Sequence, residues 1–282
     1  VTNETRGRAM GTYRVVDMSG SLVAQLMIGV LAPASYVSYN ILAILCCAAL
    51  LPLTLTKVPQ PETPKAPRLR PRLAYERSPL AAAGVVVAAL SAASFRMVGP
   101  LYGQEVGLSI GQIAWFLSVF VLGGALAQYP VGWLADKYDR RWVLIWLSVA
   151  AMFSCGVTVM STGFGPTSIM VTAFLFGLTS FPIYSVAAAH AHDFADDSER
   201  VELSAALMFC YALGAIAAPY GAAVLINAFG PAALFFLIAG GHALLIVFGL
   251  SRMLARPTPK DKTDYVYAPR TSFVIGRLNR RK

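Results

Sequence analysis

Residues 142–192 read WVLIWLSVAAMFSCGVTVMSTGFGPTSIMVTAFLFGLTSFPIYSVAAAHAH, 51 consecutive positions without Asp, Glu, Lys or Arg. A helix that crosses the hydrocarbon core of a bilayer needs about 20 apolar residues, so this run is long enough to cross twice. Gly163-Phe164-Gly165-Pro166 near its middle is a turn signal. Working outward, uncharged runs of 39 residues (18–56) and 49 residues (203–251) repeat the arrangement, with turn signals at Ala32-Pro33-Ala34-Ser35 and Asn227-Ala228-Phe229-Gly230-Pro231. Shorter runs, 78–95 and 106–135, supply one crossing each. Eight spans are predicted, at about 13–32, 36–56, 79–101, 111–134, 142–162, 167–189, 203–227 and 232–252. Unbroken apolar runs satisfy their backbone hydrogen bonds within one helix, whereas barrel strands would alternate over ten-residue segments. The fold class expected is therefore an all-α membrane protein. Ser109-Ile110-Gly111-Gln112 fits a capping box opening the fourth span.

Composition agrees. Of 282 residues, 57% are hydrophobic and only 13% charged, and mean hydropathy is +0.61. That balance excludes an ordinary soluble enzyme, a disordered chain and a disulfide-stapled secreted module. A net charge of +9 would suit a nucleic-acid binder, but its distribution points elsewhere. Alternate loops hold 21 of the 23 Lys and Arg residues, the intervening loops hold none, and Arg14 and Arg96 fall within spans. By the positive-inside rule both ends of the chain are expected in the cytoplasm, with no nucleic acid as partner. The loop at 190–202 fits least well, with Asp193, Asp196, Asp197 and Glu199 against one Arg200. Cys46, Cys47, Cys155 and Cys210 lie in spans at irregular spacing and read as small buried hydrophobes, so no metal site, disulfide or cofactor is expected.

Two features organise the spans. Residues 57–78 contain Pro59, Pro61, Pro64, Pro67, Pro71 and six basic residues, the composition of an extended connector. Sliding the chain by 194 residues lays the first span on the seventh, with Arg6 on Arg200, Gly20 on Gly214, Val30 on Val224 and Leu31 on Leu225. Parallel repeats joined by a charged linker are the plan of two-bundle secondary transporters. Because the chain opens at Val1 in a polar turn just before a span, it is expected to be a fragment lacking four upstream spans.

Gly132-Trp-Leu-Ala-Asp136-Lys137-Tyr-Asp139-Arg140-Arg141 resembles the loop motif G-x-x-x-D-R/K-x-G-R-R/K of the major facilitator superfamily, with Asp139 where the pattern has Gly. Arg6-Gly-Arg8 and Pro182-Ile-Tyr184-Ser-Val-Ala-Ala-Ala-His190-Ala-His192-Asp193 are similar to the bacterial branch typified by YcaD, which more often has Asn at the place of His192. The resemblance implies spans 5–12 of a twelve-span transporter. It divides the chain into the last two spans of an N-terminal bundle (1–56), a cytoplasmic linker (57–78), a C-terminal six-helix bundle (79–253) and a basic tail (254–282). It further implies a small-molecule substrate moved by alternating access across the inner (cytoplasmic) membrane, by a protein monomeric when full length. No catalytic residues are expected. Gly132, Asp136, Lys137, Arg140 and Arg141 would form a latch between the bundles that holds while their cytoplasmic ends meet. Asp136 ends its own helix, where the backbone dipole disfavours a carboxylate, so it needs a cation or the start of another helix.

Ionisable groups inside a membrane face a cavity or a partner, because a lone charge at midplane costs about 2.5–3.5 kcal/mol on insertion scales. Arg14 and Asp17 share a helix face, and Asp17 is the candidate for coupled protonation; neutralising one another is the structural alternative. Arg96 either attracts an anionic substrate group or snorkels to headgroups. His190, with His192 and Asp193, ends span 10 and could relay protons or simply be helix-end polarity. Tyr184 beside Pro182, His242 near the middle of span 12, and Gln25 and Gln128 complete the substrate and coupling candidates. Two rivals stand beside the transporter reading. One is a membrane-embedded enzyme built on His190, His192 and Asp193. The other is a non-transporting receptor or scaffold.

Overall fold

A computed structural model describes residues 35–55 and 70–255, together with 19, 20, 22–24, 26, 27, 30 and 31. Every regular element among them is helical. The first predicted span therefore lies mostly outside the described residues, as do Arg14, Asp17, Gln25, most of the linker and the basic tail. The helices are α1 (Tyr36–Leu55), α2 (Arg72–Arg77), α3 (Pro79–Glu105), α4 (Ile110–Lys137), α5 (Arg140–Ser161), α6 (Pro166–Ser180), α7 (Pro182–His192), α8 (Arg200–Phe229) and α9 (Ala233–Ala255).

Six segments are long and apolar enough to cross a membrane: α3, α4, α5 with its 3₁₀ extension to Phe164, α6 and α7 taken together, α8, and α9 as far as Leu254. They match the last six predicted spans. The apolar stretch of α1, Tyr36–Pro52, is shorter. Pro182 interrupts the α6–α7 span without reversing it: Phe181 keeps helical angles (φ −63°, ψ −43°), and the Pro nitrogen has no hydrogen to donate to the preceding turn.

Local chemistry sets the boundaries. Ser78 caps α3, its side chain accepting from the Ala81 N–H at 3.1 Å, with Pro79 at the first helical position. The expected capping box opens α4: Ser109 N–H donates to Gln112 Oε1 at 2.8 Å, and Gln112 N–H donates to Ser109 Oγ at 3.3 Å. Gly165 and Gly230 have φ of +86° and +84°, a conformation that suits glycine, and each stands before a Pro between two spans.

Packing divides into two cores. One gathers Leu73, Leu80, Val85, Ala135, Leu144, Ala187, Ala191 and Leu203 near the sequence motif. The other, towards the opposite end, is aromatic: Phe95 stacks on Phe120 at 4.1 Å and lies 4.7 Å from Phe116, while Tyr102 meets Phe235 edge-on at 4.9 Å. Between them α4 and α6 cross backbone to backbone. A Cβ on Gly177 would strike the Phe120 carbonyl, and one on Gly123 the Phe174 carbonyl. Small residues at helix crossings are what lipid-embedded bundles use to bring backbones together.

Cys155 is buried, as expected, whereas Cys46 and Cys47 are exposed. The reason is that α1 itself is exposed along most of its length, with Ser38 its only buried residue among those described.

Candidate functional site

The motif residues meet where α4 ends and α5 begins. Asp139, in the place of the pattern's Gly, has an extended backbone and caps α5, its Oδ1 accepting from the Arg141 N–H at 3.0 Å. It also receives the Arg141 guanidinium, with Nε to Oδ2 at 3.1 Å and Nη2 to Oδ2 at 2.8 Å. The substitution of Gly by Asp is thus accommodated by capping as well as by turn conformation.

Arg140 is the centre. It is 1% exposed, and its Nη1 donates to the Ala189 carbonyl at 3.0 Å and to Asp193 Oδ1 at 2.6 Å. Its Nη2 donates to Asp136 Oδ1 at 3.1 Å. A buried guanidinium is tolerated only where charge-assisted bonds replace water, and these three do so. Helix dipoles explain the choice of partners. Arg140 opens α5, where positive charge is disfavoured, and Asp193 follows the last residue of α7, where negative charge is disfavoured. Placed against each other, the Arg140 cation sits at the carboxyl end of α7 and adds a charge-assisted bond to the Ala189 carbonyl, which also accepts the Asp193 N–H at 3.2 Å. Asp136, at the carboxyl end of α4, finds its cation one turn onward in Arg140. The resemblance to the superfamily implies that the start of the symmetry-related helix, around residues 8–12, also faces Asp136, and those residues lie outside the described ones.

A second charged group lies close in sequence. Arg70 pairs with Glu202 at 3.3 Å and Glu199 at 3.8 Å, and Arg77 pairs with Glu199 and with Asp196 at 3.6 Å. The acidic 190–202 loop, the poorest fit to the charge rule, is therefore matched by arginines at the end of the linker.

Residues 81–278 match the Major Facilitator Superfamily, more than half of the chain. The chain belongs to this superfamily. It is similar to an uncharacterised MFS-type transporter of Enterobacter sp. (strain 638), 27% identical over 260 residues, covering 92% of this chain and 67% of that protein. It is likewise similar to the uncharacterised MFS-type transporter YcaD of Escherichia coli O7:K1, 27% identical with 92% and 67% covered. A third such protein, from Yersinia enterocolitica, is 26% identical over 267 residues, with 94% and 67% covered. The protein is accordingly a multi-pass, lipid-embedded member of the major facilitator superfamily, and the resemblance to YcaD drawn from residues 182–193 agrees with these relatives.

The remaining candidates are scattered across the bundle. Arg96 is exposed on α3 beside Met97, and Gln128 is half-buried on α4. Tyr184 is buried, its hydroxyl 3.0 Å from Met208 Sδ and its ring edge-on to Tyr211 at 5.4 Å. His242 is fully buried, with Nε2 2.9 Å from Ser91 Oγ, which also reaches the Val87 carbonyl. The single Ser91 hydroxyl proton can go to the Val87 carbonyl or to His242 Nε2, according to the imidazole tautomer. His190 is buried against Phe194 and shares with Arg141, Arg252 and Ser78 a pocket of about 20 Å³, room for one water. His192 reaches the Ala188 carbonyl at 2.7 Å and Ser204 Oγ at 3.1 Å. Asp193 thus turns to Arg140 and His192 to Ala188 and Ser204, and no cluster of three His, Cys, Asp or Glu side chains able to hold a metal is found among the described residues.

Asp193 and Ala189 were not singled out as partners of the motif. Fifty-three positions separate Asp193 from Arg140, and no spacing rule bridges that gap. The dipole argument applied to Asp136 would have flagged Asp193 too, since both carboxylates close a helix.

Proposed function

We propose that the protein is a secondary transporter that carries a small molecule across the inner membrane by alternating access, rocking two six-helix bundles about a central site. In this reading residues 79–253 are the C-terminal bundle, 1–56 the last two spans of the N-terminal one, 57–78 the cytoplasmic linker and 254–282 a basic cytoplasmic tail, so the motif end of the bundle faces the cytoplasm. Proton coupling through Asp17 belongs to the same proposal. The exposed length of α1 supports the division, because a span whose partners belong to another bundle presents apolar residues on most sides. The observation that carries the reading is the Arg140 centre in a superfamily member. One buried cation gathers the ends of α4, α5 and α7, leaving Asp136 half exposed to meet a surface that arrives and departs. Such a contact weights one state of a two-state equilibrium and lapses in the other.

Counterflow of labelled candidate solutes in proteoliposomes, run on the full-length protein, is the test. Asp136→Asn is expected to slow exchange at unchanged membrane abundance. Exchange at the parental rate would dismiss the latch, and the absence of counterflow across a broad solute panel would favour a receptor or scaffold.

A further inference from the structure

A groove of about 550 Å³ opens between α4 and α5 at the motif end. Val131 and Leu134 of α4, Tyr138 of the turn, and Trp142, Val143, Trp146 and Leu147 of α5 line it, with Asp139 at its polar rim. Three of the chain's four tryptophans gather here: Trp142 and Trp146 line the groove, and Trp133 stands beside it at 55% exposure. Indole rings collect where a bilayer passes from acyl chains to headgroups, so the groove spans that boundary.

The charge at its mouth is specific. Asp139 is neutralised by Arg141, and Asp136 is paired with Arg140. Lys137 is the cation of the motif that forms no ion pair among the described residues. Its ammonium lies 4.9 Å from the Trp133 ring centroid and 5.6 Å from that of Tyr138, a groove-lining residue, and among the described residues no carboxylate pairs with it. The result is an apolar slot, closed in by aromatic rings, with an ammonium that makes no ion pair among the described residues at its polar end. We propose that this groove binds one acyl chain of an anionic phospholipid, with the lipid phosphate held by Lys137. The long apolar lining disfavours a free phosphate as the occupant, and an ammonium without an ion pair among the described residues favours an acidic headgroup over a zwitterionic one. The site rests on membrane embedding alone and is independent of whether the protein transports.

Tryptophan quenching by phospholipids brominated on the acyl chain reads it directly. The chain is reconstituted in vesicles with either dibrominated phosphatidylglycerol or dibrominated phosphatidylcholine at matched mole fractions. Phosphatidylglycerol is expected to quench with about fivefold preference, the scale of one Lys acting on an anionic lipid. Lys137→Gln abolishes the preference and Lys137→Arg keeps it. Val143→Phe, which fills the groove while leaving the cation in place, also abolishes it. Equal quenching by both lipids in the parental chain overturns the proposal, as does a preference that survives Val143→Phe, since headgroup attraction would then act without the groove. Lack of quenching by either lipid overturns it too, because a second copy or another protein would be covering the site.

Discussion

The two ends of the bundle are held by different physics. At the motif end the core is built of Ala, Val and Leu, and the helix termini are tied by the Arg140 and Arg70/Arg77 ion pairs. At the opposite end Phe95, Phe116, Phe120, Phe176, Phe235 and Tyr102 interlock, and no ion pair is found among the described residues there. Aromatic packing combines burial of large apolar area with preferred stacked and edge-on geometries. A charged network has discrete partners and can be exchanged for another of similar energy. The difference teaches that one end of the bundle is held by ring packing, and the other by helix-end ion pairs added to aliphatic packing.

The comparison is broken most completely at the crossing between the two ends. Gly177→Leu drives a side chain into the Phe120 backbone, so no folded, monodisperse protein is expected on size-exclusion chromatography. Next in size is Arg140→Ala, which strands the Asp193 carboxylate in the interior and is expected to cost about 3–5 kcal/mol, read as a lowered thermal midpoint in detergent. Asp193→Asn recovers part of that loss when combined with it, because the stranded charge is gone. Phe95→Ala at the opposite end costs about 3–5 kcal/mol through its cavity. If the ends are separate, the double variant with Arg140→Ala is additive within about 0.5 kcal/mol; a larger coupling would merge the two regions into one. The smallest effect is Arg77→Glu, about 1 kcal/mol or less for a partly exposed pair. It is expected to make the linker end more open to limited proteolysis, and Glu199→Arg should restore protection.

Much of this was legible along the chain. The spans α3 to α9 follow from uninterrupted apolar runs, and Gly165 and Gly230 fall where Gly-Pro pairs marked the turns. The Ser109 capping box was visible because its parts are three residues apart. Arg140 was readable as a motif residue but not as a buried one. Its burial depends on α7 ending beside α5, which is a matter of how distant spans pack. The exposure of Cys46 and Cys47 was missed for a related reason, since apolar composition says that a segment avoids water, not whether lipid or protein covers it.

The amino-acid sequence by itself determined which segments leave water, where they turn, and which residues can carry charge at their ends, because those properties arise from transfer energies and backbone preferences acting over a few residues. Only the tertiary structure decided that Arg140 serves Asp193 and Ala189, that Arg77 meets Glu199, and that Trp142 and Trp146 line one groove with Tyr138. The physical reason is range. A buried charge must find a partner, but the chain leaves open which of several helix ends supplies it until close packing removes the alternatives.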